Sequence, residues 1–571
     1  MHLSPQALFL SALGVATAQQ WNPTDACPLL GPALFKDFDV SNSTAFKNAT
    51  KAFPGIIESI FNSSAVNAST ASFVIDVYST YTNTSLYTYT HKATAPALNE
   101  TFPPELNDET IFRVGSVSKL YTVYAILAHA KSLDVFDLPV TSFIPELEGN
   151  SAGNASNARI VWENVTVGAL ASHQAGVGTF PIKSLSCEPA SNNGSDQCSI
   201  LGFLGYMKNG KRPVQPVFQS SQYSDGGFGV LGRVLERMTN KTYNEAIQDL
   251  LAQPLGLKNT GSFVPAGKDL NAIVLPPMPI SSWGWDNQIS APSGGLYSNA
   301  ADFRATGLAI LHSQLLAPEI TRAWMKPHAH TASLISSVGA PWEINRLTLP
   351  VSPGSNRTRV SDLYTKAGGQ PGYTALFMLS PDHGVGISVL VAGESALGDR
   401  WPLRAAAAEA FVTAAEHAGK EYAVENFAGT FVDQADPTSN LTLAVNKDSV
   451  GLEIATLFVA GVNAKPAVLL PGGNLPADLD VLLQIYPTGL EFPKDGNSSP
   501  LQYRAVTQVL PVAERTGLFD DVCISWLTVG ASEDEQQNSL DEFILEVMDG
   551  KLVSLQYPPT KQQFTRVQLL V

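Results

Sequence analysis

The chain has 571 residues, 44% of them hydrophobic and 15% charged, a globular composition with more length than one ordinary domain needs. A formal net charge of −16 excludes nucleic acid and anionic membrane surfaces as main partners, since both repel an acidic protein.

In chain order, an apolar run from Ala7 to Val15 and the small-x-small triplet Ala16-Thr17-Ala18 predict a secretory signal peptide over residues 1–18. The run is too short to span a bilayer, and no later segment is long and apolar enough, so no membrane partner is expected. Asn-x-Ser/Thr sequons stand at Asn42, Asn48, Asn62, Asn67, Asn83, Asn99, Asn154, Asn164, Asn193, Asn240, Asn356, Asn440 and Asn497. Their crowding before residue 100 predicts a glycosylated, secreted protein whose N-terminal region is largely surface. The four cysteines, Cys27, Cys187, Cys198 and Cys523, read as two disulfides in an oxidising compartment. Three connectivities are open. The polar loop between Cys187 and Cys198 favours a local pair, which leaves Cys27 with Cys523.

Ser72 to Ser79 and Ser85 to Thr90 alternate as paired strands do. A helix is predicted from Ser116 to just before Leu133, with Leu120, Val123, Ile126 and Leu127 at helical spacing. Further helices are predicted at Gly229–Met238, Tyr243–Leu251, Ala301–His312 and Pro402–His417. Between the last two, Thr374–Leu379 and Gly386–Val391 read as strands, the second almost uniformly apolar as a buried strand is. From Tyr422 onward short alternating segments dominate, among them FAGTFVD, LTLAVN, DVLLQIYPT, EFILEVM and KLVSLQY. The expected division is a signal at 1–18, a sheet-and-helix domain at 19–421, and a β-rich domain at 422–571, a small barrel or sandwich.

Chemistry concentrates in GSVSK, Gly115 to Lys119. A serine hydroxyl needs a base within hydrogen-bond reach to become a nucleophile, and residues three apart on a helix share a face. Ser116 is the only serine with lysine three positions later. At a helix start it also lies near unpaired amides and a positive dipole end, which suit an oxyanion. Tyr223-Ser224-Asp225 opens a loop-to-helix passage, where the tyrosine can relay protons. Lys366-Ala367-Gly368-Gly369 opens a Gly-rich turn into a strand-like run; its lysine can attract a substrate carboxylate or polarise the site, and the Gly369 amide can supply the second oxyanion donor.

The runs FRVGSVSKLYTVYAIL, VTVGALASHQAGV, YSDGGFGVLGRVLERM, APSGGLYSNAADF and KAGGQPGYTALFML stand in an order that resembles the serine β-lactamase and penicillin-binding-protein-like family. The likeness is to its class C-like and esterase branch, in a secreted fungal type with a β-rich C-terminal domain, and it covers about residues 70–415. It implies an α/β (α+β) fold, an antiparallel sheet flanked by helices with a helical subdomain. It also implies Ser116 as nucleophile, Lys119 as its base partner, Tyr223 as proton shuttle, and Asp225, Lys366, Gly368 and Gly369 as substrate-binding or oxyanion positions. Tyr297-Ser298-Asn299 fits the family's Tyr-x-Asn motif more literally, but the sequence around Tyr223 is the motif's context, so Tyr297 is assigned to packing. His173 is assigned a structural place.

Two departures matter. Asp225 stands where the family more often has asparagine, and an anion near Lys119 favours its charged form, which shifts part of the base role to Tyr223. Ala367 replaces a hydroxyl that β-lactamases commonly place beside the substrate carboxylate, which favours esters or amides over β-lactams. Other constellations fail: there is no Gly-x-Ser-x-Gly or His-Glu-x-x-His, and His328-Ala329-His330, expected in a loop, lacks a following acid for metal. The reading is therefore a monomeric, cofactor-free secreted serine hydrolase acting on a small ester, lactone or amide through a Ser116 acyl-enzyme. Acyl transfer on the same fold in a biosynthetic pathway, β-lactamase or D-aminopeptidase activity, and an inactive binding protein are the alternatives.

Overall fold

The computed structural model describes residues 28–94, 103, 105–179, 199–267, 269–285, 288–469, 480–493, 498–510 and 525–567. The expected signal peptide, all four cysteines, and Asn99, Asn193 and Asn497 lie outside the described residues. Among the described residues, no helix is long and apolar enough to cross a membrane.

The first domain is built on an antiparallel sheet. In chain order come β1 (Ser72–Ser79) and β2 (Thr84–His91), then a separate ribbon of β3 (Phe112–Arg113) and β4 (Tyr297–Ser298). The sheet continues with β5 (Ala329–His330), β6 (Ser336–Val338), β7 (Glu343–Pro350), β8 (Thr358–Gln370), β9 (Tyr373–Ser380) and β10 (Val385–Ala392). Its eight strands lie in the order β2-β1-β10-β9-β8-β7-β6-β5, with Ser72 opposite Ala392 and Ser79 opposite Val385 across β1 and β10.

Every residue of β1, β9 and β10 is buried, because both faces of the sheet are covered. Side chains alternate between the faces. Phe73, Ile75, Val77, Leu376, Met378 and Val389 enter a core shared with the helices Thr44–Asn62 and Ala396–Asn426. Val74, Tyr78, Ala375, Phe377 and Leu379 face the other way, into a core with the helices Ser118–Ala130 and Asp225–Thr239. The helix Ser118–Ala130 is buried from Ser118 to Ala128, so its first turn is held rigidly against the sheet. The expected sheet flanked by helices is present.

The C-terminal strands are β11 (Gly429–Asp433), β12 (Asn440–Ala444), β13 (Leu452–Val459), β14 (Val462–Asn463), β15 (Asp480–Glu491), β16 (Ser498–Leu510), β17 (Glu542–Met548), β18 (Lys551–Tyr557) and β19 (Gln562–Arg566). Their order is β12-β11-β19-β18-β17-β16-β15-β13-β14, and β12 also pairs with β13. That pairing closes the ring into a small barrel, with Phe431, Leu441, Ile454, Leu483, Phe543 and Phe564 in its core.

The barrel meets the first domain at the hairpin between β7 and β8. Ser352 Oγ donates to the Lys447 carbonyl at 2.6 Å and Ser355 Oγ to Asp448 Oδ1 at 2.7 Å. Lys420 Nζ donates to the carbonyls of Lys447 and Ser449 at 2.7 and 2.8 Å. Lys366 to Gly369 lie at the other end of β8, about 30 Å away at the strand rise of about 3.3 Å per residue.

Several expectations shift. The boundary placed between residues 421 and 422 falls inside the helix Ala396–Asn426, and the barrel's first strand begins at Gly429. That helix starts six residues before Pro402 and carries the proline inside its second turn. His328-Ala329-His330 does not lie wholly in a loop, since Ala329 and His330 form the edge strand β5. The helix Thr44–Asn62 stands in what read only as glycosylated surface; it buries Phe46, Phe53 and Ile57 while Asn48 and Asn62 stay exposed.

Candidate active site

The serine turn is shaped by glycines on both sides of a backbone contact. After β3 the chain turns through Gly115 at φ +52°, forms a single 3-10 turn over Gly115–Val117, and enters the helix Ser118–Ala130. Ser118 Oγ ties the turn by donating to the Gly115 carbonyl at 2.7 Å and accepting from the Leu296 amide at 3.0 Å. A β-carbon at 115 would lie 2.4 Å from the Gly369 amide nitrogen, and one at 368 would lie 1.9 Å from the Val114 carbonyl oxygen. Only glycine fits at either place, and this brings the end of β8 against the backbone of Ser116.

Lys119 is fully buried and uses all three ammonium protons. They reach Ser116 Oγ at 3.1 Å, Asp225 Oδ1 at 2.6 Å and the Ser293 carbonyl at 2.6 Å. Burial lowers its pKa; Asp225 and, more weakly, Glu343 push the other way without reversing the shift. The expected contact with Asp225 is therefore present, but desolvation outweighs it, and Lys119 surrenders a proton more readily than an exposed lysine.

Asp225 opens the helix Asp225–Thr239, whose N-cap Ser224 accepts from the Gly227 amide at 2.9 Å. The ring of Tyr223, just before the cap, has its centroid 4.7 Å from Lys119 Nζ and 5.4 Å from Lys366 Nζ. Although Tyr223 is 37% exposed, loss of water around its phenol pushes it up to about 12; Lys366 and a hydrogen bond with Ser116 pull it down, while Asp225 and Glu343 add to the rise. Tyr223 is thus a neutral donor at ordinary pH. His173, at φ +60°, accepts from the Ser224 amide through Nδ1 at 3.2 Å and packs at a tilt on Tyr223, the ring centroids 4.5 Å apart. Burial first, then Lys119 and Lys366, hold its pKa well below the usual value, so it is a neutral support for Tyr223.

Lys366 is buried on β8, but its ammonium is occupied. It pairs with Glu343 Oε1 at 2.6 Å and donates to the Ala367 carbonyl at 2.8 Å. Lys366, expected to attract a substrate carboxylate or polarise the site, thus has Glu343 as its ion-pair partner. Another cation, Arg400, stands beside Gly369. Arg400 Nη1 donates to the Gly368 carbonyl at 3.1 Å, and Arg400 and Arg404 flank the exposed Trp401 ring at 4.3 and 4.7 Å.

Ser116, Lys119, Tyr223, Asp225, Lys366, Gly368 and Gly369 thus meet at one place. Glu343, Arg400 and Trp401 were not picked out from the sequence, since a lone Glu on a strand and an Arg-Trp pair on a helix carry no spacing signal. Tyr297 lies elsewhere, its hydroxyl accepting from Arg113 Nη1 at 3.0 Å. Among the described residues no group of His, Cys, Asp and Glu could hold a metal.

The chain is similar to known proteins along most of its length. The Beta-lactamase family model matches residues 88–410, and the Beta-lactamase-like-like, C-terminal domain model matches residues 419–568. The chain is 27% identical to a "Beta-lactamase-like protein" of Arthroderma benhamiae, over 74% of this chain and 75% of that one. It is 28% identical to "Probable hydrolase M10" of a Phoma species, over 68% of this chain and 66% of that one. A penicillin-binding protein homologue from Pyrococcus abyssi aligns over 90% of this chain and 100% of its own, with a TM-score of 0.48 and 16% identity. With one family model spanning more than half of its length, the chain belongs to the beta-lactamase family of hydrolase-fold proteins.

Proposed function

We propose that the protein is a secreted serine hydrolase that cleaves a small ester, lactone or amide through an acyl-enzyme on Ser116. The observation that carries this reading is the 3.1 Å contact between Nζ of buried Lys119 and Oγ of Ser116, on a turn backed by Gly368 and Gly369. In its neutral form Lys119 accepts the Ser116 proton as Oγ bonds to the acyl carbon. The amides of Ser116 and Gly369 hold the oxyanion that develops. As the carbon–leaving-group bond breaks, the leaving group takes a proton from Tyr223, which Lys119 replenishes. Water then adds to the acyl carbon, the bond to Oγ breaks, and the proton returns to Ser116. The base role falls to Lys119 and the relay to Tyr223, in keeping with the opposite directions of their shifts.

The hydrolase named among the relatives supports water as the acceptor. Secretion is supported by the sequons: Asn42, Asn48, Asn62, Asn67, Asn83, Asn154, Asn164, Asn240 and Asn356 are exposed, and Asn440 is half-buried. The test is hydrolysis of short p-nitrophenyl esters by the native protein and by Ser116→Ala. Activity is expected to vanish in the variant; hydrolysis at the native rate overturns the reading.

A further inference from the structure

Glu343 does more in the cleft than balance one charge. Its Oε1 takes the Lys366 ammonium at 2.6 Å while Oε2 accepts from the Ala367 amide at 2.9 Å. Glu343 opens β7 opposite Thr365 of β8, and Thr365 Oγ1 donates to the Glu343 carbonyl at 2.6 Å. The carboxylate is therefore fixed by two donors of β8, and the Glu343 backbone by a third. The Lys366 side chain is 1% exposed and that of Glu343 is 36% exposed. Anything entering on this side meets the carboxylate before the ammonium.

We propose that Glu343 sets the substrate class of the cleft: by engaging Lys366 it withholds that ammonium from a substrate carboxylate and admits uncharged groups on the β7–β8 side. The proposal rests on the hydrolase reading above. A free ammonium at that position would hold a carboxylate by a charge-assisted hydrogen bond, whereas a carboxylate already there repels one. The charged and titratable groups around the pair are Lys119, His173, Asp225, Tyr223, Arg400 and Arg404, and Glu343 acts on the Tyr223 phenol in the direction opposite to Lys366.

The test uses the full chain, Glu343→Gln and Glu343→Asp with two matched substrate pairs. One pair is p-nitrophenyl butyrate and mono-p-nitrophenyl glutarate, charged on the acyl side. The other is phenyl acetate and p-acetoxybenzoate, charged on the leaving-group side. In Glu343→Gln the ratio of kcat/KM for the anionic over the neutral member is expected to rise at least about tenfold in one pair, the scale of one charge-assisted hydrogen bond. Glu343→Asp, which keeps the charge, is expected to keep the native ratio. The pH profile of Glu343→Gln is also expected to move to lower pH, which loss of packing alone does not produce. An unchanged ratio in both pairs, with native labelling of Ser116 by a fluorophosphonate, overturns the proposal, as does an equal rise in Glu343→Asp. Should Glu343→Gln not fold, the native protein decides: the neutral members are expected to lead, and a preference for both anionic members overturns the proposal. Hydrolysis persisting in Ser116→Ala overturns the hydrolase reading instead, whatever the ratios.

Discussion

Gly368→Ala puts the backbone contact at the centre of the site to a quantitative test. The added methyl carbon would stand 1.9 Å from the Val114 carbonyl oxygen and 2.8 Å from the amide nitrogens of Ser116 and Val117. All three are main-chain atoms of a buried turn, so no side chain can swing aside. Reaching even the 3.0 Å floor of real β-carbon contacts requires β8 and the serine turn to part by at least about 1.1 Å. A displacement of about 1 Å between reacting groups costs on the order of a hundredfold in rate, and overpacking costs about 1–3 kcal/mol of stability. The expected result is therefore a fall of at least about a hundredfold in kcat/KM for p-nitrophenyl esters, with a protein that still unfolds cooperatively at a lower Tm. Gly398→Ala is the control: nothing lies within 4 Å of its added carbon, and a helical glycine-to-alanine change is neutral or stabilising by about 0.5–1 kcal/mol. Native kcat/KM in Gly368→Ala would refute the claim that this contact aligns the Gly369 amide with Ser116.

Asp225→Asn removes the strongest influence raising the Lys119 pKa. The acid limb of the kcat/KM–pH profile is then expected to move to lower pH, and a move to higher pH would contradict the assignment of Lys119 as base. Glu416→Ala leaves Arg359 buried without the carboxylate it contacts at 2.7 Å; a loss of about 3–5 kcal/mol is expected in denaturant unfolding. Burial raises the Glu416 pKa, but Arg359 and His383 lower it further, to a net value well below the carboxylate range. Its contribution is thus full above the unfolded value of about 4.3 and is lost as pH falls below it, so the native and variant stabilities should converge in acid. Peptide mapping without reduction is expected to recover Cys27 linked to Cys523. Their described neighbours already meet, Ser525 Oγ donating to the Pro28 carbonyl at 3.1 Å. Any other pairing would contradict this connectivity.

Where one face of an element was buried and its spacing regular, the sequence was legible. β17 and β18 run over Glu542–Met548 and Lys551–Tyr557, the same spans as the alternating segments EFILEVM and KLVSLQY. β7 and β8 escaped notice because half-buried residues and charges such as Arg346, Arg359 and Asp362 break their apolar alternation. Those charges are satisfied by long-range pairs, Arg346 with Asp362 and Arg359 with Glu416, which no local pattern displays. The helix Thr44–Asn62 was legible, since Phe46, Ala49, Phe53, Ile57 and Ile60 stand at helical spacing, but the sequons and Pro54 within it drew the reading toward surface loop. In the site, Ser116 and Lys119 were readable because three residues along a helix start fix their meeting. Glu343 was not, since only the pairing of β7 with β8 brings it to Lys366.

The central claim is that Ser116 carries the acyl group. It is tested most directly by mass spectrometry of the full chain after reaction with a fluorophosphonate, followed by peptide mapping of the adduct. A single adduct on the peptide containing Ser116, absent when Asp225, Lys119 and Tyr223 are intact but Ser116 is alanine, is the result predicted. An adduct on another serine, or undiminished labelling of Ser116→Ala, would contradict it.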